Sequence, residues 1–180
     1  MKIKLLLTIT LLLATIATGE AQEQEPVLTK GMQTIGIRYG VGTKNKYDIG
    51  LTYSYSLGNK YTLICELDHE EATFGNSDFT NVFLLSPSID IKLWEPQKWL
   101  TYYVGGGPAI GYDKWESDIV NDKESGIAIG AQAGMNFEIH PWKKISLVAK
   151  AQQYIIYSNS DCYLKPNFSL GIKYKIQKGK

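Results

Sequence analysis

The sequence predicts an all-β fold, an eight-stranded antiparallel up-and-down transmembrane β-barrel preceded by a cleaved signal peptide. Three observations carry that prediction. A short basic start leads into an apolar run and a small-residue cleavage pattern. Apolar and polar residues then alternate with period two almost to the end of the chain. The connections between the alternating segments are tight on one side and longer and more polar on the other.

The chain begins with Lys2 and Lys4, an apolar run from Leu5 to Thr18, and Gly19-Glu20-Ala21 before Gln22. This is the pattern of a secretory signal peptide, residues 1–21, cleaved after Ala21. The rival reading is a membrane anchor, but the apolar run is shorter than the roughly 20 residues that a spanning helix needs. No cysteine lies near the cleavage point, which argues against a lipid anchor. Residues 22–32, with Pro26, read as a periplasmic leader, residues 33–176 as the outer-membrane barrel, and residues 177–180 as a tail. Without the signal peptide, 17 basic residues face 17 acidic ones. That balance argues against a protein that binds nucleic acid by neutralising phosphates and against a disordered tail. The mature sequence has no second apolar run long enough to span as a helix, so a membrane location requires strands.

Tyr47, Ile49, Leu51, Tyr53, Tyr55 and Leu57 point one way, and Asp48, Gly50, Thr52, Ser54 and Ser56 the other. The segment from Ile127 to Ile139 repeats the pattern. Its apolar face carries Ile129, Ala131, Met135 and Phe137, and its opposite face Gly130, Gln132, Gly134, Asn136 and Glu138. The predicted strands are Gln33–Gly40, Lys46–Leu57, Tyr61–Glu71, Thr80–Leu93, Trp99–Tyr112, Ser125–Ile139, Ile145–Ile156 and Leu164–Ile176. Several exceed ten residues, the length of a tilted strand crossing a bilayer.

Gly58-Asn59-Lys60, Trp94 to Lys98 and His140 to Lys144 read as tight turns. Val41 to Asn45, Ala72 to Phe79, Asp113 to Glu124 and Tyr157 to Tyr163 read as longer outer loops. That arrangement puts both termini and the tight turns in the periplasm. Trp94, Trp99 and Trp142 then mark one aromatic girdle, and Tyr47, Tyr112, Trp115 and Tyr157 the other. On the inward face, Gly50, Gly105, Gly107, Gly111, Gly130, Gly134 and Gly171 leave room for Arg38, Glu66, Asp90, Lys92, Glu138, Lys150 and Lys173. An eight-stranded barrel is just wide enough for side chains to fill, so a plugged lumen of mixed charges is expected, not a water-filled pore. A soluble barrel such as a lipocalin also alternates. It would have to crowd the whole Tyr47–Leu57 apolar face and its seven counterparts into one cavity, and put glycines on a solvent face where they only weaken strands.

No catalytic, cofactor or metal residue emerges. Cys65 falls on the apolar face of the third strand and Cys162 in the last outer loop, a placement that does not favour a disulfide although an exported chain permits one. His69 with Glu70 and Glu71 is a poor metal set, because its members alternate between faces, and His140 lies at the opposite end. Barrel enzymes that modify lipid A need a nucleophile with a positioned base. Here no His-x-Ser pair shares a strand face, and Ser54 and Ser169 read as lumen filling. Gly105-Gly106-Gly107-Pro108 lacks the Lys-Ser/Thr ending of a phosphate loop and reads as a bend or a close approach. Asn167-Phe168-Ser169 fits a glycosylation pattern but sits in mid-strand. The acids Asp113, Glu116, Asp118, Asp122 and Glu124 read as a solvated loop, with weak divalent-cation binding as the alternative.

A barrel does not name a function. The whole chain resembles the TraO conjugal transfer proteins of conjugative transposons. The resemblance is carried by Thr34-Ile35-Gly36-Ile37, Gly50-Leu51-Thr52-Tyr53, Ala109-Ile110-Gly111-Tyr112-Asp113, Gly130-Ala131-Gln132-Ala133-Gly134 leading to Phe137-Glu138, and Lys165-Pro166, Gly171 and Tyr174. Many barrels share such small and aromatic patterns. The end departs from the common aromatic finish, running past Tyr174 and Ile176 into Gln177-Lys178-Gly179-Lys180. The resemblance implies a non-enzymatic outer-membrane part of a mating apparatus. Its partners would be membrane lipid and other conjugation proteins, with no direct contact to nucleic acid and no small-molecule substrate. The alternative is a general small barrel of the outer membrane protein A or X type, porin-like in the broad sense, that serves envelope integrity or adhesion.

Overall fold

A computed structural model describes residues 29–42, 46–74, 78–117, 122–158 and 161–177. The signal peptide, the first part of the leader and residues 178–180 lie outside the described residues. The strands are β1 (Gln33–Gly42), β2 (Lys46–Ser56), β3 (Tyr61–Phe74), β4 (Asp78–Gln97), β5 (Leu100–Ser117), β6 (Asp122–Ile139), β7 (Ile145–Ser158) and β8 (Asp161–Gln177). Each pairs antiparallel with its sequence neighbour, and β1 pairs with β8 to close the barrel. Closure satisfies the backbone groups that an open sheet edge would leave bare.

Alternation becomes two faces. On β1, Ile35, Ile37, Tyr39 and Val41 are exposed, while Thr34, Arg38 and the glycines between them turn inward. On β2, Ile49, Leu51 and Tyr53 are exposed opposite buried Asp48, Thr52 and Ser54. The outside is apolar and the inside largely polar, the inverse of a soluble core. The soluble-barrel alternative does not match this arrangement. The end where β1 begins and β8 finishes is called the near end here, and the other the far end.

Two boundaries differ from expectation. At the far end the strands continue through much of what reads as outer loop: β3 reaches Phe74, β5 reaches Ser117, β7 reaches Ser158 and β8 starts at Asp161. Backbone pairing does not depend on side-chain polarity. Above the apolar band both faces meet water, and alternation stops before the ladder does. Cys162 consequently lies on β8, opposite Tyr157, and not in a loop. At the near end, β4 continues through the expected turn at Trp94 to Gln97, with register shifts between Lys92 and Trp94 and between Trp94 and Gln97.

The Gly105–Pro108 segment is a close approach. The β4–β5 ladder runs to Leu85↔Ile110 and resumes in the same register at Ile89↔Gly106, leaving Pro87 opposite Pro108. Neither proline has an N–H to give. A Cβ at Gly107 would collide with the Pro87 carbonyl, so the glycine lets the strands stay together across the missing rungs.

The last four residues of the leader, 29–32, fold over the near mouth. Gly31 has φ of 83°, a conformation that glycine tolerates. Its N–H reaches Ser56 O at 2.8 Å, and Ser56 N–H returns to Met32 O at 2.9 Å. Met32 is thereby buried against Tyr103.

Candidate functional site: the charged lumen

The inward residues form a stack of paired charges along the barrel. Register places Arg38 beside Gly50 and Gly171, whose missing side chains make room for the guanidinium. Arg38 Nη2 lies 2.5 Å from Asp68 Oδ1 and 3.8 Å from Asp48 Oδ2, its Nε lies 3.9 Å from Glu66 Oε1, and Nη1 donates to Ser169 Oγ at 3.1 Å. Across the lumen Lys150 Nζ lies 2.7 Å from both oxygens of Glu66, and Gln152 Nε2 donates to Glu66 at 3.0 Å. Glu66 on β3 is thus shared between Arg38 of β1, two strands away, and Lys150 of β7, on the opposite side of the barrel four strands away.

Toward the far end, Tyr154 Oη donates to Asp68 at 3.0 Å, Asn167 donates to Asp48, and Lys165 lies 2.5 Å from Glu70. Beside these, with Leu84 opposite Asp68 and Val82 opposite Glu70, sits an apolar cluster of Val82, Leu84, Ala109, Ala128, Tyr154 and Ile156. The lumen is therefore not filled by mixed charges alone, as the sequence suggests; an apolar cluster fills part of its far half. Toward the near end, Asn136 donates to Asp90 and Lys173 pairs with Glu138. Two voids between these layers each have room of about 20 Å³, enough for about one water molecule.

The expected inward set of Arg38, Glu66, Asp90, Glu138, Lys150 and Lys173 is buried as predicted. Lys92 differs. It holds the regular β4 register opposite Tyr103 but is the last residue to do so, and at the near rim it is only partly covered and pairs with Glu95 at 2.5 Å. Sequence reading did not count Asp68, Glu70 and Lys165 among the inward charges, although they are equally buried. Their inward parity with Glu66 and Asn167 was the available signal.

The remaining candidates disperse. Ser54 meets Thr34 Oγ1 at 2.5 Å and Ser169 accepts from Arg38, so both hydroxyls serve the lumen network. His69 turns outward, stacks on Phe83 at 4.4 Å and meets Asn81 Oδ1 at 2.9 Å, while Glu70 turns inward to Lys165. Among the described residues no group of three His, Cys, Asp or Glu side chains could hold a metal. Cys65 and Cys162 are both free and exposed on the outer wall. Trp94, Trp99 and Trp142 are exposed near one end, and Tyr112 and Tyr157 near the other, as two girdles require. The side chain of Trp115 lies outside the described residues.

One pair escaped sequence reading. His140 Nδ1 lies 2.7 Å from Ser146 Oγ, and its Nε2 lies 3.3 Å from Thr101 Oγ1. Burial holds its pKa down, from the ordinary 6.5 to about 4, so the ring is neutral at physiological pH. Hydroxyls occupy both ring nitrogens, and the neighbouring Glu138 carboxylate is engaged by Lys173. The ring has no carboxylate to orient it as a base, and it ties the turn after β6 to β5 and β7.

The fold recurs among solved structures. The N-terminal barrel domain of OprF from Pseudomonas aeruginosa superposes with a TM-score of 0.61 at 15% identity, covering 82% of this chain and all of that one. Neisserial surface protein A gives 0.59 at 10% identity, over 81% of this chain and 95% of that one. The attachment invasion locus protein Ail of Yersinia pestis, in complex with the heparin analogue sucrose octasulfate, gives 0.56 at 17% identity, over 82% and 100%. At these identities the likeness shows the fold, that of eight-stranded outer-membrane barrels. No family model matches the sequence. No curated protein matches it.

Proposed function

We propose that this chain is a non-enzymatic barrel of the outer membrane whose lumen is closed, and that it works in envelope integrity or adhesion through its wall and outer rim. The observation that carries the reading is the combination of an apolar outer face with a lumen that, among the described residues, buried and paired side chains fill. Such a wall needs lipid around it, and such a lumen offers no path to a solute or substrate. The reading assigns the chain a membrane-lipid environment and no cofactor, small-molecule substrate or nucleic acid. Residues 1–21 serve export and are removed after Ala21.

A second, narrower reading makes the barrel a component of a conjugative DNA-transfer apparatus, in contact with other proteins of that apparatus. It rests on the TraO-like residue pattern, clearest at Gly130-Ala131-Gln132-Ala133-Gly134 and Phe137-Glu138; no comparison bears on it. One strain separates the two. In a donor lacking the gene, greater sensitivity to detergent and bulky antibiotics with unchanged transfer frequency supports the envelope reading. A fall in transfer of orders of magnitude, restored by the intact gene, supports the transfer apparatus. Neither change would leave both functions without support.

A further inference from the structure

The outer wall is not uniformly smooth. Toward its near end a shallow, open groove is lined by Leu57, Tyr61, Ile89, Ile91 and Val104, with Gly106 and Ala133 at its floor. The wall of large side chains drops to a glycine and an alanine there, which makes the depression. On the outer-membrane reading, on which this inference rests, the groove opens into the periplasmic half of the hydrocarbon layer.

The rim above the groove is basic. Lys30, Lys60, Lys98, Lys143 and Lys144 are all exposed at the near end. Among the described residues, the one carboxylate at that rim facing solvent is Glu95, and Lys92 engages it at 2.5 Å. Lys60 is exposed beside the groove, its ammonium 6.0 Å from the centre of the Tyr61 ring that forms part of the groove wall. An apolar groove with an ammonium beside its end suits a molecule with a long hydrocarbon chain and an anionic head.

We infer that the groove holds one anionic phospholipid of the periplasmic leaflet, with an acyl chain along Gly106 and Ala133 and its phosphate at Lys60. The apolar contact supplies chain binding without regard to head group. Lys60 supplies the preference for a net negative head, because an ammonium beside an anionic surface favours it by about fivefold per lysine.

Native mass spectrometry of the folded mature chain in detergent tests this. Dioleoyl phosphatidylglycerol, dioleoyl phosphatidylcholine and glycerol phosphate are titrated separately. The expected result is a one-to-one phosphatidylglycerol adduct, at least about fivefold preferred over phosphatidylcholine, with no adduct from glycerol phosphate. Lys60→Gln should remove most of that preference and keep residual phosphatidylcholine binding. Ala133→Leu, which fills the floor, should abolish retention of both lipids. Heat-modifiable migration checks each sample for the folded barrel; if Ala133→Leu loses it, Ala133→Val is the smaller filling change. The inference is overturned by absence of any adduct, by equal retention of the two lipids, or by adducts indifferent to a folded filling variant. It is also overturned by a two-copy species that the filling variant abolishes, which would make a second chain the occupant. A wild-type chain without heat-modifiable migration would instead sink the membrane reading itself.

Discussion

Replacing Glu66 by alanine asks whether the lumen is held by paired charges or merely filled. Glu66 is 2% exposed and takes Lys150 on both oxygens at 2.7 Å, Gln152 at 3.0 Å and Arg38 at 3.9 Å. Arg38 keeps Asp68 at 2.5 Å after the change, so the loss falls on Lys150, a buried ammonium left without its closest carboxylate. Removing one partner of a buried pair costs about 3–5 kcal/mol, because the remaining charge stays desolvated. The expected fall in unfolding free energy is of that size, read by urea titration in lipid vesicles with tryptophan fluorescence and gel migration as probes. Replacing both partners, Glu66→Leu with Lys150→Met, removes the unpaired charge and should return stability to within about 1–2 kcal/mol of wild type. A single change costing less than about 1 kcal/mol, or a double change costing the sum of its parts, would refute the coupled lumen.

Three further outcomes follow from the same geometry. Leu51→Arg puts a charge on the exposed lipid-facing wall and should cost about 2–4 kcal/mol in vesicle refolding; Leu51→Ser should cost clearly less, and equal effects would count against the assigned faces. The β4–β5 seam lacks rungs where Pro87 faces Pro108, so deuterium uptake at the amides of Ser86, Ser88, Gly107 and Ala109 should outpace uptake in the continuous β5–β6 ladder. Burial depresses His140 to about 4 from an unfolded value near 6.5. The unfolded chain therefore takes up the proton first, and stability present above pH 6.5 is lost as pH falls toward 4, by up to about 1.4 kcal/mol per pH unit. His140→Gln should flatten that part of the urea-midpoint profile, and an unchanged slope would place the titration elsewhere.

What the sequence made legible follows the bilayer. Tyr47–Leu57 alternates because one face meets lipid and the other the lumen, and it became β2 (Lys46–Ser56) almost unchanged. Asp113–Glu124 is mostly polar and carries no period-two apolar face, so alternation gave no sign that β5 and β6 continue into it. Which residues point inward could be read from parity; which of them meet could not. The Lys150–Glu66 pair reaches across the barrel and the Lys173–Glu138 pair across β7, so both depend on strand tilt and wall curvature, which are properties of the whole barrel. The apolar far cluster was hidden for a related reason. Leu84 and Ile156 adjoin outward Leu85 and Ile155, so each reads as part of a continuous apolar run. Likewise, Pro87 and Pro108 mean little singly, and their opposition emerges only from register.

The wall itself offers the most direct test of the account. Cys65 lies on the exposed outer face between Tyr53 and Pro87 in the middle of its ladder, and Cys162 lies at the far end of β8. In bilayer nanodiscs, where both ends meet solvent, single-cysteine variants Cys162→Ser and Cys65→Ser can be compared for their rate of reaction with a charged, membrane-impermeant maleimide. The account predicts that Cys162 reacts readily while Cys65 is shielded until the protein is denatured, yet is quenched by brominated acyl chains when it carries a fluorophore. Cys65 reacting as fast as Cys162, without quenching by lipid, would contradict a membrane-spanning wall.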